Sequence, residues 1–209
     1  MEIVFRPAAV SDAHSLATLI CLASQSHYKT TGFELSLGGT REHQHMELSR
    51  LAAAKARSWF HFSYFEVAEA DGRVVASAAG FDKALAENEL PAALREIGWT
   101  DESLLALEQR LADLYASFPQ EPAGFWTIDH VAVLPSVRRI GLARSLIERQ
   151  FARGRAAGFH QCKLDAFDGN VRAITLYQSM GFHLNETFGE AALRKLLGRD
   201  ALLRMTRAI

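Results

Sequence analysis

Alternating hydrophobic and polar residues predict strands in this chain, and hydrophobic residues three or four positions apart predict helices. Residues 2–6 alternate and predict a short first strand, which Pro7 ends. The next hydrophobic residues have helical spacing: Leu16, Leu19, Ile20 and Ala23. Ser11 or Asp12 stands just ahead of them, and we expect one of these side chains to cap the helix.

Two strand-forming runs, residues 64–70 and 73–81, are joined by Asp71-Gly72. An Asp-Gly pair between two such runs is typical of a two-residue hairpin. Ahead of the hairpin, residues 30–40 contain three glycines and predict a loop, and residues 41–57 predict a second helix.

Residues 82–122 interrupt the strand pattern. They contain Pro91 and a helix that we expect to begin near Thr100, and they end at Pro119 and Pro122. The helix has an apolar stripe formed by Leu104, Leu107, Leu111, Leu114 and Phe118. The segment therefore predicts a helical insert within the sheet.

The rest of the chain alternates between strands and helices. Strands are predicted over residues 125–134, 160–167, 182–188 and 201–207, and helices over 141–157, 170–180 and 190–197. An antiparallel run followed by strand, helix, strand and helix indicates a mixed sheet of the α/β (α+β) class. The sequence contains no internal repeat or linker, so we expect one domain over residues 1–209, with the insert at 82–122 inside it.

Composition narrows the functional classes. Hydrophobic residues make up 49% and charged residues 22%, as in an ordinary globular protein. The chain has 23 basic and 24 acidic residues, and a net charge of −1 argues against a polybasic nucleic-acid binder. Residues 1–136 carry 10 basic and 18 acidic side chains, whereas residues 137–209 carry 13 and 6. Either this split is incidental, or the second half faces an anionic ligand and the first half a cationic one.

A turn between a predicted strand and helix concentrates candidate chemistry: Arg138-Arg139-Ile140-Gly141-Leu142-Ala143. A glycine at the start of a helix lets a ligand approach the backbone, and the free N–H groups of the first turn bind phosphate. Arg138, Arg139 and Arg144 add positive charge there. An ordinary turn with solvated arginines has the same pattern, and neither G-x-G-x-x-G nor Gly-Lys-Ser/Thr is present.

Three motifs together carry a resemblance. They are Val131-Ala132-Val133-Leu134-Pro135, Arg138-x-x-Gly141-x-Ala143, and Asn170-x-x-Ala173-x-x-Leu176-Tyr177-x-x-x-Gly181-Phe182. In this order and spacing they resemble the acetyl-CoA signature of the GNAT superfamily of N-acetyltransferases. The resemblance implies a single GNAT-like domain, with a mixed, mostly antiparallel, twisted sheet of about seven strands flanked by helices. The insert then precedes the central strand.

The resemblance also implies a set of residues that bind acetyl-CoA. The pyrophosphate would meet the turn formed by Arg138, Arg139, Gly141, Leu142, Ala143 and Arg144. Val131 and Val133 would pair with the pantetheine arm, which enters where the family's fourth and fifth strands splay. Asn170, at the start of the helix that also holds Ala173, would bond the pantetheine, and Tyr177 would lie near the sulfur. Ala143 replaces a glycine that is often found there.

Catalysis by direct attack on a thioester needs a base, an oxyanion donor and an acid. The resemblance implies that the Val133 N–H stabilises the oxyanion and that Tyr177 protonates the thiolate; otherwise Tyr177 is a packing residue. Asp129 shares a strand face with Val131 and Val133 by alternation and is the candidate base. His130 would point the other way unless a bulge shifts the register, and a chain of waters is the third alternative.

The expected activity is transfer of an acetyl group from acetyl-CoA, as co-substrate, to a primary amine in a ternary complex. The alternative is a non-catalytic acyl-CoA-binding or sensor domain of the same fold. The sequence leaves open whether the acyl group is longer than acetyl. No metal is expected, because His43 and His45 lie one residue apart on a predicted helix and face different ways.

Partners and location follow from the remaining features. The insert is acidic, and its carboxylates are Asp82, Glu87, Glu89, Glu96, Asp101, Glu102, Glu108, Asp113 and Glu121. If they border the acceptor cleft, the amine, a small molecule or a peptide, is cationic. We expect no nucleic acid and no membrane as partners, while a homodimer stays open. The free thiols Cys21 and Cys162 and the absence of a signal-like start indicate the cytoplasm.

Overall fold

The computed structural model describes residues 2–209, which form one open sheet of seven strands. In chain order the strands are β1 (Ile3–Pro7), β2 (Phe65–Ala70), β3 (Arg73–Asp82), β4 (Phe125–Val133), β5 (Gln161–Phe167), β6 (His183–Phe188) and β7 (Leu202–Ala208). Their order across the sheet is β1-β2-β3-β4-β5-β7-β6. Only β4 and β5 are parallel neighbours, and the other pairs are antiparallel. The predicted fold class, a mixed and mostly antiparallel sheet, is confirmed.

Helices cover both faces of this sheet. They are α1 (Ala13–Gln25), α2 (Phe33–Ser36), α3 (Arg41–Ala52), α4 (Lys83–Asn88), α5 (Leu90–Glu96), α6 (Asp101–Ala116), α7 (Leu142–Ala156), α8 (Val171–Ser179) and α9 (Glu190–Leu197). Helices α4, α5 and α6 fill the predicted insert between β3 and β4. Thr100 caps α6 as expected, since its side-chain oxygen accepts the N–H of Ser103.

Local signals in the sequence fix several of these boundaries. Asp71 and Gly72 have φ values of 49° and 76°, as the predicted two-residue hairpin between β2 and β3 requires. The predicted end of the second helix is wrong. Helix α3 ends at Ala52 and not near residue 57, because the Glu96 carboxylate accepts the backbone N–H groups of Lys55 and Ala56.

The predicted N-cap position of α1 is right, but the capping hydrogen bond does not form. Asp12 stands at the N-cap position, but its carboxylate makes no capping bond to that helix. It accepts two hydrogen bonds from Arg6 of β1, at 2.7 and 3.1 Å, and one from the Ala9 backbone N–H at 2.8 Å. The interaction with the first strand therefore replaces the local cap.

Each face of the sheet has its own core. On one face, Phe65, Val67, Ala79 and Phe81 pack with α1 and α3, and the insert extends this core through α5 and α6. The insert contributes Ala93, Leu94, Leu104, Leu107, Leu111 and Leu114. On the other face α7 covers β2, β3 and β4.

Strands β4 and β5 separate along their length. They pair only at Phe125–Gln161, Trp126–Cys162 and Thr127–Lys163. Beyond Thr127 the two strands no longer pair, whereas β5 remains paired with β7 up to Phe167. A gap therefore opens in the middle of the sheet, as the resemblance implies.

Candidate active site

A cleft of about 1250 Å³ passes through the gap between β4 and β5. One end lies at the first turn of α7 and beside α8, and the other lies beneath α2, α5 and α6. Pockets for one small molecule commonly measure about 300–1,000 Å³. The cleft is therefore large enough for two substrates that meet inside the sheet.

The turn before α7 has the geometry of an anion site. Gly141 is its N-cap and has a φ of 88°, and Arg139 has a φ of 69°. The Ser145 N–H bonds to the Gly141 carbonyl, so the earlier N–H groups of the first turn are left for a ligand. A β-carbon built on Gly141 would meet no atom within 4 Å, so the space in front of it is open.

The arginines around this turn are partly engaged. Arg138 Nε donates to the Val133 carbonyl at 3.0 Å, and Arg144 donates to Ser179 Oγ at 2.7 Å. These bonds hold the two guanidinium groups near the turn. With Arg139 they make this end of the cleft positive.

The backbone of β4 offers a donor to the gap. Val133 stands opposite Ala76, and the Leu134 N–H donates to the Val75 carbonyl at 2.9 Å. Bonded and non-bonded pairs alternate along an antiparallel ladder, so the Val133 N–H points away from β3. On that side β5 has already diverged, and the N–H faces the gap.

A bulge in β4 changes the sheet faces to which its residues point, so the alternation expected around Asp129 and His130 does not hold. The register shifts because Ala79 is paired with Asp129 and Ser77 with Ala132, which leaves two residues of β4 opposite one of β3. His130 has a φ of 50°. Its ring stacks on Phe60 and Phe65 at centroid distances of 5.4 and 5.9 Å, within the core under α1 and α3.

Beyond the bulge, the alternation of side chains continues but is offset by one residue. Val131 and Val133 pack with Leu142 and Leu146 on the α7 side, so they do not share a face with Asp129. Asp129 still lines the cleft, with 53% of its side chain exposed, and its Oδ1 accepts the His130 backbone N–H at 2.6 Å. Asp129 and His130 therefore meet at the middle of the cleft.

Tyr177 lies on α8 with its ring buried edge-to-face against Phe182. Its side chain lines the cleft, and the hydroxyl has no hydrogen-bond partner within residues 2–209. Burial, and then the negative charge of Asp129, raise the pKa of the Tyr177 hydroxyl well above its usual value. The hydroxyl therefore stays protonated at neutral pH and faces the same space as Asp129.

Asn170 is placed beside the cleft, but both polar atoms of its side chain have protein partners. Its Oδ1 accepts the Ala173 N–H at 3.3 Å and caps α8, and its Nδ2 donates to Ser26 Oγ at 2.7 Å. Asn170 thus connects α8 to the loop after α1. A bond to pantetheine would have to be added to these contacts or replace the one to Ser26.

The sequence identified the cofactor side of the cleft better than the opposite side. Trp59 and Phe60, which lie ahead of β2, line the cleft on the acceptor side. The apolar stripe of the insert predicted a helix, and part of that stripe faces the cleft. The insert contributes Leu90, Leu94, Leu107, Leu111, Leu114, Tyr115 and Phe118 to the lining.

The carboxylates of the insert do not line the cleft, so the structure shows no direct contact between them and the acceptor. Glu96 binds backbone N–H groups, Asp101 pairs with Arg95, and Glu121 pairs with Lys163 and Arg204. The acidic balance of the insert is therefore used in structural contacts or displayed on the outer surface.

Cys162 and the His43–His45 pair lie away from this chemistry. Cys162 is fully buried, and burial raises the pKa of its thiol to about 12. His45 bonds to Thr18 Oγ1 and packs edge-on against His14. Within residues 2–209, no three His, Cys, Asp or Glu side chains cluster as a metal site would require, and no helix has the length and apolar character to span a membrane.

Comparison with known proteins decides the family. The family model described as the acetyltransferase (GNAT) family matches residues 30–182. The chain belongs to the GNAT family. GNAT proteins transfer acyl groups, in general from acetyl-CoA. At a significant level, no curated protein sequence matches this GNAT chain.

Solved structures show the same fold at low sequence identity. An N-acetyltransferase from Staphylococcus aureus Mu50 has 13% identity and a TM-score of 0.72, over 98% of this chain and 100% of that one. Drosophila melanogaster polyamine N-acetyltransferase, which forms N-acetylagmatine, has 18% identity and a TM-score of 0.57, over 100% of both chains. A chain of the NatC complex bound to Gag peptide and CoA has 14% identity and a TM-score of 0.55, over 100% of this chain and 99% of that one.

Proposed function

We propose that this GNAT protein acetylates a primary amine by direct attack of that amine on acetyl-CoA in a ternary complex. The observation that carries the proposal is the gap between β4 and β5. It joins an anion-binding turn at one end to Asp129 and Tyr177 in the middle and to a second chamber at the other end.

Features of the chain fit acetyl-CoA. A pyrophosphate suits the open first turn of α7, where Gly141 leaves space and Arg138, Arg139 and Arg144 supply positive charge. The Val133 N–H faces the gap, where it can donate to a pantetheine carbonyl or to the thioester oxygen as negative charge develops there. Acetyl-CoA supplies the activated acetyl group, and the residues of the chain bind and orient it.

Proton transfer is assigned to two side chains on the cleft wall. The attacking amine must lose a proton, and the half-exposed Asp129 carboxylate can accept it directly or through a water. The departing thiolate must gain a proton, and Tyr177 holds one because burial and Asp129 raise its pKa. The effect of Asp129 on Tyr177 supports a site in which both groups face the same reactants.

Direct attack is favoured over transfer through a cysteine. Cys162 does not line the cleft, and at a pKa of about 12 its thiol is protonated at neutral pH. Since the thiolate is the nucleophilic form, an acetyl-cysteine intermediate at Cys162 is disfavoured.

Two measurements test the proposal. The first is the release of free CoA from acetyl-CoA in the presence of each amine of a panel. The second is the thermal stabilisation of the protein by acetyl-CoA alone. The proposal predicts thermal stabilisation and CoA release that requires an amine, with one N-acetylated amine per CoA. Stabilisation without turnover on any amine would contradict the proposal and favour the sensor alternative.

A further inference from the structure

The far end of the cleft is an apolar compartment, which we name the acceptor chamber and define by Trp59, Phe60, Leu94, Leu107 and Leu111. Phe60, Leu94, Leu107 and Leu111 are 2–9% exposed, as in a core. Protein cores are close-packed, and voids larger than a water molecule are few. These side chains pack against one another in the core beneath α1 and α3, and they also form an apolar wall of the cleft. A wall of this composition suits the apolar part of a ligand.

His130 provides a second, independent sign of a ligand. It is 8% exposed and stacks on Phe60 of the chamber wall, with 21° between the two ring planes. Its Nε2 is fully buried and has no hydrogen-bond partner, and the residue lines the same cleft. A buried polar atom without a partner destabilises the protein, so a ligand that donates a hydrogen bond there would be favoured.

The two signs together specify the ligand. We infer that the acceptor is a primary amine with an apolar body, aromatic or branched aliphatic, whose body fills the acceptor chamber and whose amine hydrogen-bonds to His130 Nε2. The inference rests on the proposed function and specifies its substrate class. Asp129 Oδ1 lies 3.7 Å from His130 Nδ1, so a proton on Nδ1 would face this carboxylate and leave the lone pair on Nε2 for the ligand.

Two other occupants fit the chamber less well. A polyamine would place a second ammonium group among leucines, while the carboxylates of the insert are engaged elsewhere. The acyl chain of a longer acyl-CoA would match the leucines, but it would leave His130 Nε2 without a partner.

The first experiment measures kcat/KM for a panel of amines with acetyl-CoA as donor. Two apolar amines, 2-phenylethylamine and isoamylamine, are compared with two polyamine-like amines, agmatine and putrescine. Ethylamine, which has no large apolar group, is the fifth amine. We expect kcat/KM for the apolar amines to exceed that for each of the other three by roughly tenfold or more, the discrimination that apolar pockets commonly reach. Higher values for agmatine or putrescine would overturn the inference and leave the proposed function intact.

A variant pair locates the effect in the chamber. Leu111→Phe narrows the chamber, and Leu105→Phe makes the same change on the exposed side of α6, where Leu105 is 55% exposed. We expect Leu111→Phe to raise KM for 2-phenylethylamine roughly tenfold and to leave the Kd of acetyl-CoA unchanged, while Leu105→Phe changes neither. An unchanged KM in folded Leu111→Phe protein would overturn the inference.

A donor panel of acetyl-CoA and octanoyl-CoA separates the remaining possibilities. The inference predicts that acetyl-CoA is the better donor and that Leu111→Phe does not alter this order. Preference for octanoyl-CoA that Leu111→Phe abolishes would assign the chamber to the acyl chain and overturn the inference. Binding of acetyl-CoA without turnover on any amine would overturn the proposed function itself. If Leu111→Phe does not fold, the wild-type amine panel decides.

Discussion

The side chain of Asn170 donates a hydrogen bond to Ser26 Oγ at 2.7 Å, across 144 positions of sequence. Asn170 begins α8, which carries Tyr177, and Ser26 ends α1 just before the loop that leads to α2. The bond therefore connects the helix beside the cofactor gap with the loop at the edge of the acceptor side. Ser26 has a φ of 53°, which serine rarely adopts, so its surroundings hold it in place.

Loss of this bond should affect the acceptor more than the cofactor. We expect Ser26→Ala to raise KM for the amine by about two- to tenfold, the equivalent of one net hydrogen bond of about 0.5–1.5 kcal/mol. The Kd of acetyl-CoA should be unchanged or lower, because Asn170 is released. Steady-state kinetics and calorimetric titration measure the two quantities. Ser117→Ala, which removes a hydroxyl bonded within its own helix end, is the control. An unchanged amine KM in Ser26→Ala would contradict the link.

The turn at Gly141 should determine cofactor affinity. Gly141→Asp places a side chain and a negative charge where the pyrophosphate is expected, so the Kd of acetyl-CoA should rise at least tenfold, or about 1.4 kcal/mol. Gly158→Asp is a matched control, because Gly158 has a φ of 86°, follows the other end of α7 and also has open space around it. Both variants carry the same backbone strain, so equal affinities in the two would refute the anion site.

Tyr177→Phe removes one hydroxyl and leaves the ring packed on Phe182. If this hydroxyl protonates the thiolate, kcat should fall roughly 10²-fold or more while the Kd of acetyl-CoA stays nearly constant. Tyr64→Phe is the control, since the Tyr64 hydroxyl bonds to the Arg57 carbonyl outside the cleft. Wild-type kcat in Tyr177→Phe would make Tyr177 a packing residue only.

The contact between Arg6 and Asp12 should stabilise the fold in a pH-dependent way. Hydrogen bonds from Arg6, and a smaller one from the Ala9 N–H, outweigh burial and lower the pKa of Asp12. A carboxyl with a lowered folded-state pKa contributes stability above its unfolded pKa of about 3.9, and the contribution is lost as pH falls through the folded value.

We therefore expect Asp12→Asn to lower the free energy of unfolding at pH 7 by about 1.5–3 kcal/mol, the range for hydrogen bonds to charged groups. Urea denaturation should show that the difference from wild type narrows as the pH falls below about 4. Asp71→Asn, at the exposed hairpin turn, is the control. A difference that stays constant down to low pH would show that Arg6 does not act through the charge of Asp12.

Features set by neighbouring residues could be predicted from the sequence. The hairpin follows from Asp71-Gly72 alone, the start of α6 follows from the Thr100 cap, and the positive φ before α7 follows from Gly141. In each case a few adjacent residues determine the backbone conformation. Such signals, together with the motif resemblance, were sufficient for the family and the fold.

Features that depend on distant partners could not be predicted in the same way. The bulge at His130 depends on how β4 pairs with β3, and it reversed the expected faces of Val131 and Val133. The Asn170–Ser26 bond joins residues that lie 144 positions apart in the sequence. The acidic composition of the insert indicated a cationic acceptor, but composition does not show that Glu96 and Glu121 are used in internal contacts.

The central claim is that acetyl-CoA enters the gap between β4 and β5 and reacts there. A crystal structure of the protein with CoA is its most direct test. The account predicts the pyrophosphate at the first turn of α7 beside Gly141, a bond from the Val133 N–H to the pantetheine arm, and the sulfur within hydrogen-bonding distance of the Tyr177 hydroxyl. CoA bound outside the gap, or a sulfur remote from Tyr177, would contradict it.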